Sequence, residues 1–252
     1  MLESFKGKVV LVTGSARRVG RAIVLGFAAE GANVVIHHSD SDAEAARTES
    51  DAKALGVDTL VVKGDHARYE DVVDNFAKIK AHFGRIDVLV NSASIFRSAD
   101  LLEIAPDEWN QVMDINLRAP FWCTQQAGRM MRDAGIAGSI IYIADNSGLR
   151  PWSARPHHSV SKAGLIMLTE VTARSLAQYG IRANCLVLGP VLASTGQSEE
   201  NWRKTEARLP LKRAGNPDDA ARAAIFLATN DYATGSVVRV DGGEWLGDAT
   251  SE

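Results

Sequence analysis

The fold is decided by residues 9–23, which read VVLVTGSARRVGRAI. The apolar run Val9–Val12 is typical of a strand that is buried on both faces of a parallel sheet. Gly14 and Gly20 bracket a turn, and a helical pattern begins at Arg21. Backbone amides at the start of such a helix favour a pyrophosphate, and glycines let it approach the main chain. The alternative is a tight turn that only reverses the chain.

Strand-like and helical segments alternate along the rest of the chain. Further continuous apolar runs lie at Val34–Ile36, Leu60–Val62, Val88–Val90, Ile140–Ile143, Cys185–Leu188 and Val237–Val240. Helical patterns lie between them, at Arg21–Glu30, Asp42–Leu55, Tyr69–Phe83, Pro106–Asp133, Val160–Tyr179 and Pro217–Ala228. This alternation predicts an α/β fold, with one Rossmann-type domain over residues 1–252 and a doubly wound parallel sheet of about seven strands.

Residues 192–209 interrupt this alternation. They are polar, follow Gly189-Pro190 and carry no clear strand pattern. Long connections of this kind in a compact domain are commonly functional. We therefore expect Leu192–Leu209 to be a loop or short-helix insertion that acts as a substrate lid.

Composition narrows the class of protein and of partner. Hydrophobic residues make up 46% of the 252 residues and charged residues 23%, as in ordinary globular domains. The net charge of -3 argues against nucleic acid or a membrane as a partner, and no apolar run is long enough to span a bilayer. Cys123 and Cys185 can form neither a disulfide framework nor a metal cluster, so no metal site is expected. With no secretory segment before the first strand, we expect a cytoplasmic protein.

The residues around the second predicted strand bear on which dinucleotide would bind. A carboxylate that binds the ribose 2′-hydroxyl of NAD(H) is expected about twenty residues beyond the glycine turn. That point holds His37-His38-Ser39, whereas Arg17 and Arg18 bring two positive charges to the turn. Arginines without the acid favour the 2′-phosphate of NADP(H). The alternatives are that the arginines only solubilise a loop, and that Asp40 or Asp42 folds back toward the ribose.

Asp145, His158 and Lys162 have the spacing of a known catalytic segment. His158 follows Asp145 by thirteen residues and Lys162 follows His158 by four, so the last two share one face if the segment is helical. The spacing resembles the catalytic segment of the short-chain dehydrogenase/reductase family, in which serine, tyrosine and lysine occupy these positions. Here the lysine is present, whereas Asp145 replaces the serine and His158 replaces the tyrosine. The resemblance implies a nicotinamide oxidoreductase with altered proton chemistry.

Further motifs extend the resemblance over almost the whole chain. The glycine turn resembles the family's Thr-Gly-x-x-x-Gly-x-Gly motif, with Arg18 in place of the middle glycine. Asp65-His66 resembles the pair of residues that holds adenine in the family. Asn91-Ser92-Ala93 resembles the segment that lines the cofactor, and Gly189-Pro190 resembles the turn beside the nicotinamide. With the ribose argument, these motifs predict cofactor contacts from Gly14, Arg17, Arg18, Gly20, His37, Ser39, Asp65, His66, Asn91, Ser92, Ala93, Lys162 and Pro190.

The resemblance also implies roles for the catalytic residues. In the family, tyrosine supplies the proton, lysine lowers the pKa of that tyrosine and holds the nicotinamide ribose, and an asparagine, matched here by Asn116, completes the relay. Imidazole can be a general acid near neutral pH, so His158 is a candidate proton donor. Asp145 would orient the substrate, or donate a proton if burial keeps it protonated. The alternatives are a degenerate pocket wall for His158, a solvated loop carboxylate for Asp145 and a purely structural Asn116.

Four residues resemble the pteridine reductase branch of the family. Arg18 and Asp145 match residues of that branch, and Ser94 with Phe96 matches its Asn-Asn-Ala-Ser-Ser-Phe run. There the serine contacts cofactor or substrate and the phenylalanine stacks on the pterin, and a flat heteroaromatic ring suits such stacking. The resemblance therefore implies that Ser94 and Phe96 contact the substrate. The alternative is that Phe96 only fills the core.

Two functions follow from these patterns. The first is an NADP(H)-dependent oxidoreductase that reduces a carbonyl or pterin-like small molecule by hydride transfer. The second is an NADP-binding protein of the same fold with impaired catalysis, acting as a sensor or partner protein. A plain nucleotide-binding module is disfavoured because Lys162 and Asn116 are both present.

The resemblance also implies an assembly. Family members commonly form tetramers through two long helices, which here match the predicted helices Pro106–Asp133 and Val160–Tyr179. A homotetramer or homodimer is therefore expected, with Leu165, Ile166 and Leu168 packing across a two-fold axis. Packing within one chain is the alternative.

Overall fold

Seven parallel strands form one sheet, in the order β3-β2-β1-β4-β5-β6-β7. The computed structural model describes residues 5–247. The strands are β1 (Val9–Val12), β2 (Asn33–His38), β3 (Thr59–Lys63), β4 (Val88–Asn91), β5 (Ser139–Asp145), β6 (Arg182–Leu188) and β7 (Val237–Val240). Each predicted strand is present, and the doubly wound α/β fold expected from the sequence is confirmed.

The sheet is covered on both faces, which explains the continuous apolar runs in its strands. Along β1, Val10 and Val12 pack into one hydrophobic core, whereas Val9 and Leu11 pack into a second core on the opposite face. Because successive side chains of a strand point to opposite faces, a strand covered on both sides has no polar face. The strand order reverses between β1 and β4, and open α/β sheets bind ligands at the carboxyl ends of the strands at such a point.

The helices lie between successive strands in the chain. They are α1 (Arg18–Ala29), α2 (Asp42–Ala54), α3 (Tyr69–Phe83), α4 (Pro106–Met113), α5 (Ala119–Asp133), α6 (Pro156–Leu176), α7 (Glu199–Arg208) and α8 (Pro217–Thr229). The last of these begins with a capping box, in which the side chains of Asn216 and Asp219 each accept a hydrogen bond from the other's backbone N–H.

Three predicted helices differ from the structure by a break or by a boundary shift of three residues or more. The single helix predicted over Pro106–Asp133 is wrong at its centre, where a π-helical turn over Asp114–Arg118 separates α4 from α5. The apolar pattern runs on through this turn, so the sequence does not reveal it, although such turns are frequent at functional sites. Helix α6 begins at Pro156 rather than Val160, and α1 begins at Arg18 rather than Arg21.

The outer faces of α5 and α6 carry exposed apolar side chains. Phe121 on α5 and Met167 and Val171 on α6 are among them. The prediction that Leu165 packs across a two-fold axis is wrong, because Leu165 is buried in a core cluster of this same chain. Among residues 5–247, no helix is long and apolar enough to cross a membrane.

Candidate active site

A groove of about 380 Å³ lies at the carboxyl ends of β1 to β4. Four segments line it, each at or just after the end of one of these strands: residues 14–20, 37–41, 64–67 and 92–95. Ile115 lines it as well. The structure therefore brings together ten of the predicted cofactor residues, which are Gly14, Arg17, Arg18, Gly20, His37, Ser39, Asp65, His66, Ser92 and Ala93.

The glycine turn is folded too tightly for side chains at two positions. A Cβ on Gly14, whose φ is +65°, would lie 2.9 Å from Ala93 Cα. A Cβ on Gly20 would lie 2.4 Å from the Gly14 carbonyl oxygen. Thr13 Oγ1 joins this turn to the loop after β4 by accepting hydrogen bonds from the backbone N–H groups of Ser92 and Ala93. The bare backbone at the start of α1 fits the pyrophosphate of a dinucleotide.

His37 lies in the floor of the groove and is turned inward. Its Nδ1 accepts a hydrogen bond from the Gly14 N–H at 3.0 Å, and its Nε2 donates to the Gly64 carbonyl at 3.0 Å. Its ring stacks on that of His66, with 3.6 Å between the centroids. Burial lowers the pKa of His37 to about 4, so the ring is neutral near pH 7. With both ring nitrogens occupied, His37 supports the loops around the groove.

His66 completes this buried pair. Its Nε2 accepts a hydrogen bond from Asn75 Nδ2 at 3.1 Å, and its Nδ1 lies 3.4 Å from Cys123 Sγ. Burial, with His37 beside it, holds the pKa of His66 well below its ordinary value. His37 and His66 are therefore neutral, and their ring nitrogens contact groups of the protein itself.

Arginines surround a second hollow of about 410 Å³ beside the groove. Arg17, Arg18, Arg21 and Arg47 line it, and Arg21 pairs with Asp51. Arg18 has a φ of 56°, and its Nη2 donates to the carbonyl of Ala193 at 2.8 Å. The sequence did not single out Arg47, because its place beside the glycine turn depends on how α2 packs against α1.

The acids that line this hollow are Glu44 and Asp51, whereas Asp40 and Asp42, the two acids considered for the ribose, lie outside it. Asp42 pairs with Lys63, whose Nζ lies 2.8 Å from Asp42 Oδ2, and this hydrogen bond holds the pKa of Asp42 below its ordinary value. Asp40 lines the groove, and its Oδ1 accepts hydrogen bonds from the hydroxyl groups of Ser39 and Ser41. One of the two acids that could approach a ribose therefore faces the groove.

Asp145 and His158 form a close pair. Asp145 is the last residue of β5, His158 lies in the first turn of α6, and 2.7 Å separates Asp145 Oδ2 from His158 Nε2. Burial opposes ionisation of Asp145, but the hydrogen bond from His158 and the charge of Lys162 outweigh it and lower its pKa to about 2. The side chain of Asp145 is 21% exposed and that of His158 only 2%. Asp145 is therefore the more accessible member of the pair.

Asn116 contacts the other side of His158. It lies in the π-helical turn, and its Nδ2 is 3.4 Å from His158 Nδ1. Its Oδ1 accepts hydrogen bonds from the Ile95 N–H at 2.8 Å and from Ser94 Oγ at 3.1 Å. Since Ser94 and Ile95 line the groove, this network connects the groove to the Asp145–His158 pair.

Lys162 lies one helical turn beyond His158 and is buried. Its Nζ donates to the carbonyl oxygen of Ile143 at 3.0 Å. Burial lowers the pKa of Lys162, and the nearby carboxylate of Asp145 acts in the opposite direction. The predicted positions of Asn116, Asp145, His158 and Lys162 thus converge on one site.

An aromatic group covers His158. The ring of Phe96 is nearly perpendicular to the imidazole, with 4.8 Å between the centroids, and the ring of Trp152 lies 6.4 Å away and nearly parallel to the imidazole. Phe96 is 44% exposed, so it is not core filling. The guanidinium of Arg155 lies over Phe96, 3.6 Å from the ring centroid. Sequence reasoning missed Trp152 and Arg155, since no spacing rule connects them to the catalytic positions.

Three predicted cofactor residues, Asn91, Lys162 and Pro190, lie outside the lining of the groove. Asn91 is buried at the end of β4, where its Nδ2 is 3.4 Å from Thr124 Oγ1. Its Oδ1 has no hydrogen-bond partner within the described part of the chain. Pro190 lines a separate hollow, and its carbonyl accepts a hydrogen bond from the Gly215 N–H.

Comparisons with known proteins cover most of the chain. A family model described as enoyl-(acyl carrier protein) reductase matches residues 14–244. The L-rhamnose 1-dehydrogenase (NAD(P)(+)) of Sphingomonas sp. strain SKA58 is 34% identical over 97% of this chain and 99% of that protein. The 3-oxoacyl-(acyl-carrier-protein) reductase FabG of Staphylococcus aureus strain MW2 is 34% identical over 95% of this chain and 98% of that protein.

Solved structures agree with this similarity. A mutant short-chain dehydrogenase/reductase from Serratia marcescens has a TM-score of 0.89 at 30% identity, covering 96% of this chain and 99% of that one. A blue fluorescent protein from a metagenomic library, solved in complex with NADPH, has a TM-score of 0.88 at 32% identity over 96% of this chain and 99% of that one.

Proposed function

Since the chain belongs to the short-chain dehydrogenase/reductase family, we propose that it is an NADP(H)-dependent oxidoreductase acting on a carbonyl compound or the corresponding alcohol. The observation that carries the proposal is the 2.7 Å contact between Asp145 and His158 beside the groove. Asp145 and His158 both exchange protons, and their spacing in the sequence resembles that of the family's serine and tyrosine.

The chain supplies the proton chemistry of this reaction. When bound, NADP(H) supplies or accepts the hydride at carbon, so Asp145 and His158 exchange the proton at the substrate oxygen. The more accessible Asp145 carboxylate faces that oxygen, and His158 passes the proton to or from it through Nε2. Asn116 holds the other ring nitrogen, and the charge of Lys162 favours the ionised carboxylate.

The preference for NADP(H) over NAD(H) rests on charge. Arg17, Arg18 and Arg47 border the ribose end of the groove, and guanidinium groups suit a 2′-phosphate. The pairing of Asp42 with Lys63 leaves Asp40 as the acid at the groove. The NADPH complex of a protein 32% identical to this chain supports the same choice.

The substrate is proposed as a small carbonyl compound, with a pterin-like ring as the narrower alternative. Phe96 is exposed beside the Asp145–His158 pair, as a substrate contact requires, and Ser94 lies at the inner end of the groove. The guanidinium of Arg155 already covers one face of Phe96, so a pterin could stack on that face only after Arg155 moved. This favours the broader carbonyl class.

Residues 192–209 are proposed as the lid. They contain α7, and the hydrogen bond from Arg18 to Ala193 connects their start to the glycine turn. A segment held by a cofactor-loop residue can respond to what the groove contains. The test is protection of α7 from proteolysis on NADPH binding.

Assembly and compartment are part of the same proposal. The exposed apolar faces of α5 and α6 favour a homodimer or homotetramer built on these helices. Cys123 and Cys185 are both free and buried, which suits a reducing cytoplasm.

Initial rates of NADPH and NADH oxidation test the function. The panel contains biopterin, folate, quinones and small diketones, and NADP⁺ reduction is followed with sugars and sugar alcohols. We expect turnover with at least one carbonyl–alcohol pair, faster with the phosphorylated cofactor. Micromolar NADPH binding without turnover of any substrate would favour the sensor or partner role, and tighter binding of NADH would overturn the NADP(H) preference.

A further inference from the structure

Arg155 is held at the edge of the candidate active site. It precedes α6, three residues before His158, and its backbone N–H donates to the Trp152 carbonyl at 2.9 Å. Its guanidinium carbon lies over Phe96, 3.6 Å from the ring centroid, and the Phe96 ring is nearly perpendicular to the imidazole of His158. The positive group is therefore positioned by an aromatic surface that belongs to the site.

The donors of this guanidinium are not used within the protein. Among residues 5–247, no carboxylate forms an ion pair with Arg155 and no group accepts a hydrogen bond from its side chain. Partial burial lowers its pKa, and the charge of Asp145 acts in the opposite direction. Asp145 is close enough to Arg155 for their charges to interact, but its carboxylate is already paired with His158. A partly buried guanidinium with free donors is suited to an external acceptor.

Two cations, Lys162 and Arg155, and a second acid, Glu244, lie close enough to Asp145 to interact with its charge. Glu108, an acid near the start of α6, lies 3.4 Å from His157 Nε2. A negatively charged group on the substrate would give the unused donors of Arg155 an acceptor.

We propose that Arg155 is a specificity-determining residue that binds a carboxylate on the substrate. The substrate class is then an oxo acid, or the matching hydroxy acid, whose reacting carbon lies over the Asp145–His158 pair. A guanidinium presents parallel donors that match the two oxygens of a carboxylate. This inference rests on the proposed oxidoreductase function and deepens it by naming the substrate class.

Paired substrates, with and without a carboxylate, test the inference. Levulinate is compared with methyl levulinate for NADPH-dependent reduction, and gluconate with glucitol for NADP⁺-dependent oxidation. The wild type is expected to favour the charged member of each pair by about tenfold to a hundredfold in kcat/KM, the value of a charge-assisted hydrogen bond. In Arg155→Ala this preference disappears, chiefly through KM, while rates on the neutral member change little.

Two further variants separate recognition from folding. Arg155→Lys keeps the charge but loses the forked donors, so its preference is expected to be intermediate. Arg174→Ala removes an exposed arginine from the far end of α6 and should retain the wild-type preference. Circular dichroism and melting temperature establish that each variant is folded.

Equilibrium binding keeps the test independent of turnover. Levulinate and methyl levulinate are titrated into NADP⁺-saturated wild type and Arg155→Ala. Tighter binding of levulinate in the wild type alone supports the inference, even if no substrate is turned over and the proposed function fails. Equal binding of the two compounds by the wild type, or a preference that survives in Arg155→Ala, would overturn it.

Discussion

The carboxyl group of Asp145 lies among groups that favour its ionised form. His158 Nε2 is 2.7 Å away, the backbone N–H of Ser147 donates to its other oxygen at 2.9 Å, and Lys162 adds a positive charge. These groups outweigh the effect of burial. Asp145 is therefore ionised at neutral pH and can accept a hydrogen bond from the hydroxyl group of an alcohol substrate.

Asp145→Asn tests this arrangement. A carboxylate whose pKa is lowered to about 2 stabilises the fold above its unfolded-state value near 4, by about 2 kcal/mol. We expect the variant to lose this amount at pH 7, and to lose activity by roughly 10²- to 10⁴-fold in kcat, because the accessible proton-exchanging group is gone. Urea unfolding and initial rates measure the two effects.

The stability difference between the wild type and Asp145→Asn should depend on pH. As the pH falls from about 4 toward 2, the wild type loses the contribution of ionised Asp145, so the stabilities of wild type and variant converge. Asp133→Asn, on an exposed acid paired with Arg132, is the control and should change little. A stability difference that does not vary with pH, or an unchanged kcat, would contradict the assigned role.

His37 gives a second prediction, on the cofactor groove. In the folded protein burial lowers the pKa of His37 to about 4, and the neutral ring accepts the Gly14 N–H at Nδ1. In the unfolded chain the ring has its ordinary pKa of 6.5. As the pH falls from 6.5 to about 4, the unfolded chain binds a proton that the folded protein does not, so the fold loses stability. The wild type should lose about 2 kcal/mol between pH 7 and pH 5 through this group. Thermal unfolding and NADPH fluorescence titrations at both pH values measure it.

Two variants of His37 sharpen this test. A glutamine amide can accept from the Gly14 N–H and donate to the Gly64 carbonyl without titrating, so His37→Gln should show a flatter pH profile than the wild type. His37→Leu removes both hydrogen bonds and should lose about 1–3 kcal/mol of stability and bind NADPH more weakly at pH 7. Parallel pH profiles for wild type and His37→Gln would refute the interpretation.

At the scale of elements, the junction of β1 and α1 depends on close backbone contact. Gly20→Ala places a methyl group 2.4 Å from the Gly14 carbonyl, so the turn must shift. We expect a loss of about 1–3 kcal/mol of stability. The affinity for NADPH should fall by roughly tenfold or more. Gly128→Ala in α5 is the control, since its methyl group would meet only Leu176 Cδ1, at 3.2 Å. Equal effects of the two substitutions on NADPH affinity would contradict the prediction.

The elements themselves were predictable to different degrees. Every strand was found because a strand buried on both faces appears as a continuous apolar run. The π-helical turn at Asp114–Arg118 was not, because one inserted residue leaves the apolar pattern of a helix almost unchanged. Yet this turn carries Asn116, whose amide contacts both the groove loop and His158.

The whole molecule presents an apolar surface on α5 and α6. Met167 is 58% exposed and Val171 52% exposed on the same face of α6. If this face joins two copies, Met167→Lys with Val171→Lys should convert the assembly into smaller species, because lysine cannot be buried against an apolar face without cost. Light scattering after size-exclusion chromatography measures the mass.

Leu55→Lys is the matched control for that double variant. Leu55 is a comparably exposed apolar residue at the end of α2, away from α5 and α6, so its replacement should leave the mass unchanged. A monomeric wild type would refute the proposed assembly outright.

By itself, the sequence determined the fold and the identity of the candidate catalytic residues. The fold follows from the buried strands, which appear as apolar runs, and from the glycine turn before α1. The candidate catalytic residues follow from the resemblance of the segment with Asp145, His158 and Lys162 to that of a known family. These signals are local, since each depends on the geometry of one strand, turn or helix.

Only the tertiary structure decided which side chains meet. It turned His37 inward onto Gly14, paired Asp145 with His158, and laid Arg155 over Phe96, 59 positions away in the chain. Such contacts join residues from different elements, and they depend on how loops and helices pack across the sheet. No spacing rule in one segment contains that information, because the partner lies in another segment that packing alone brings near.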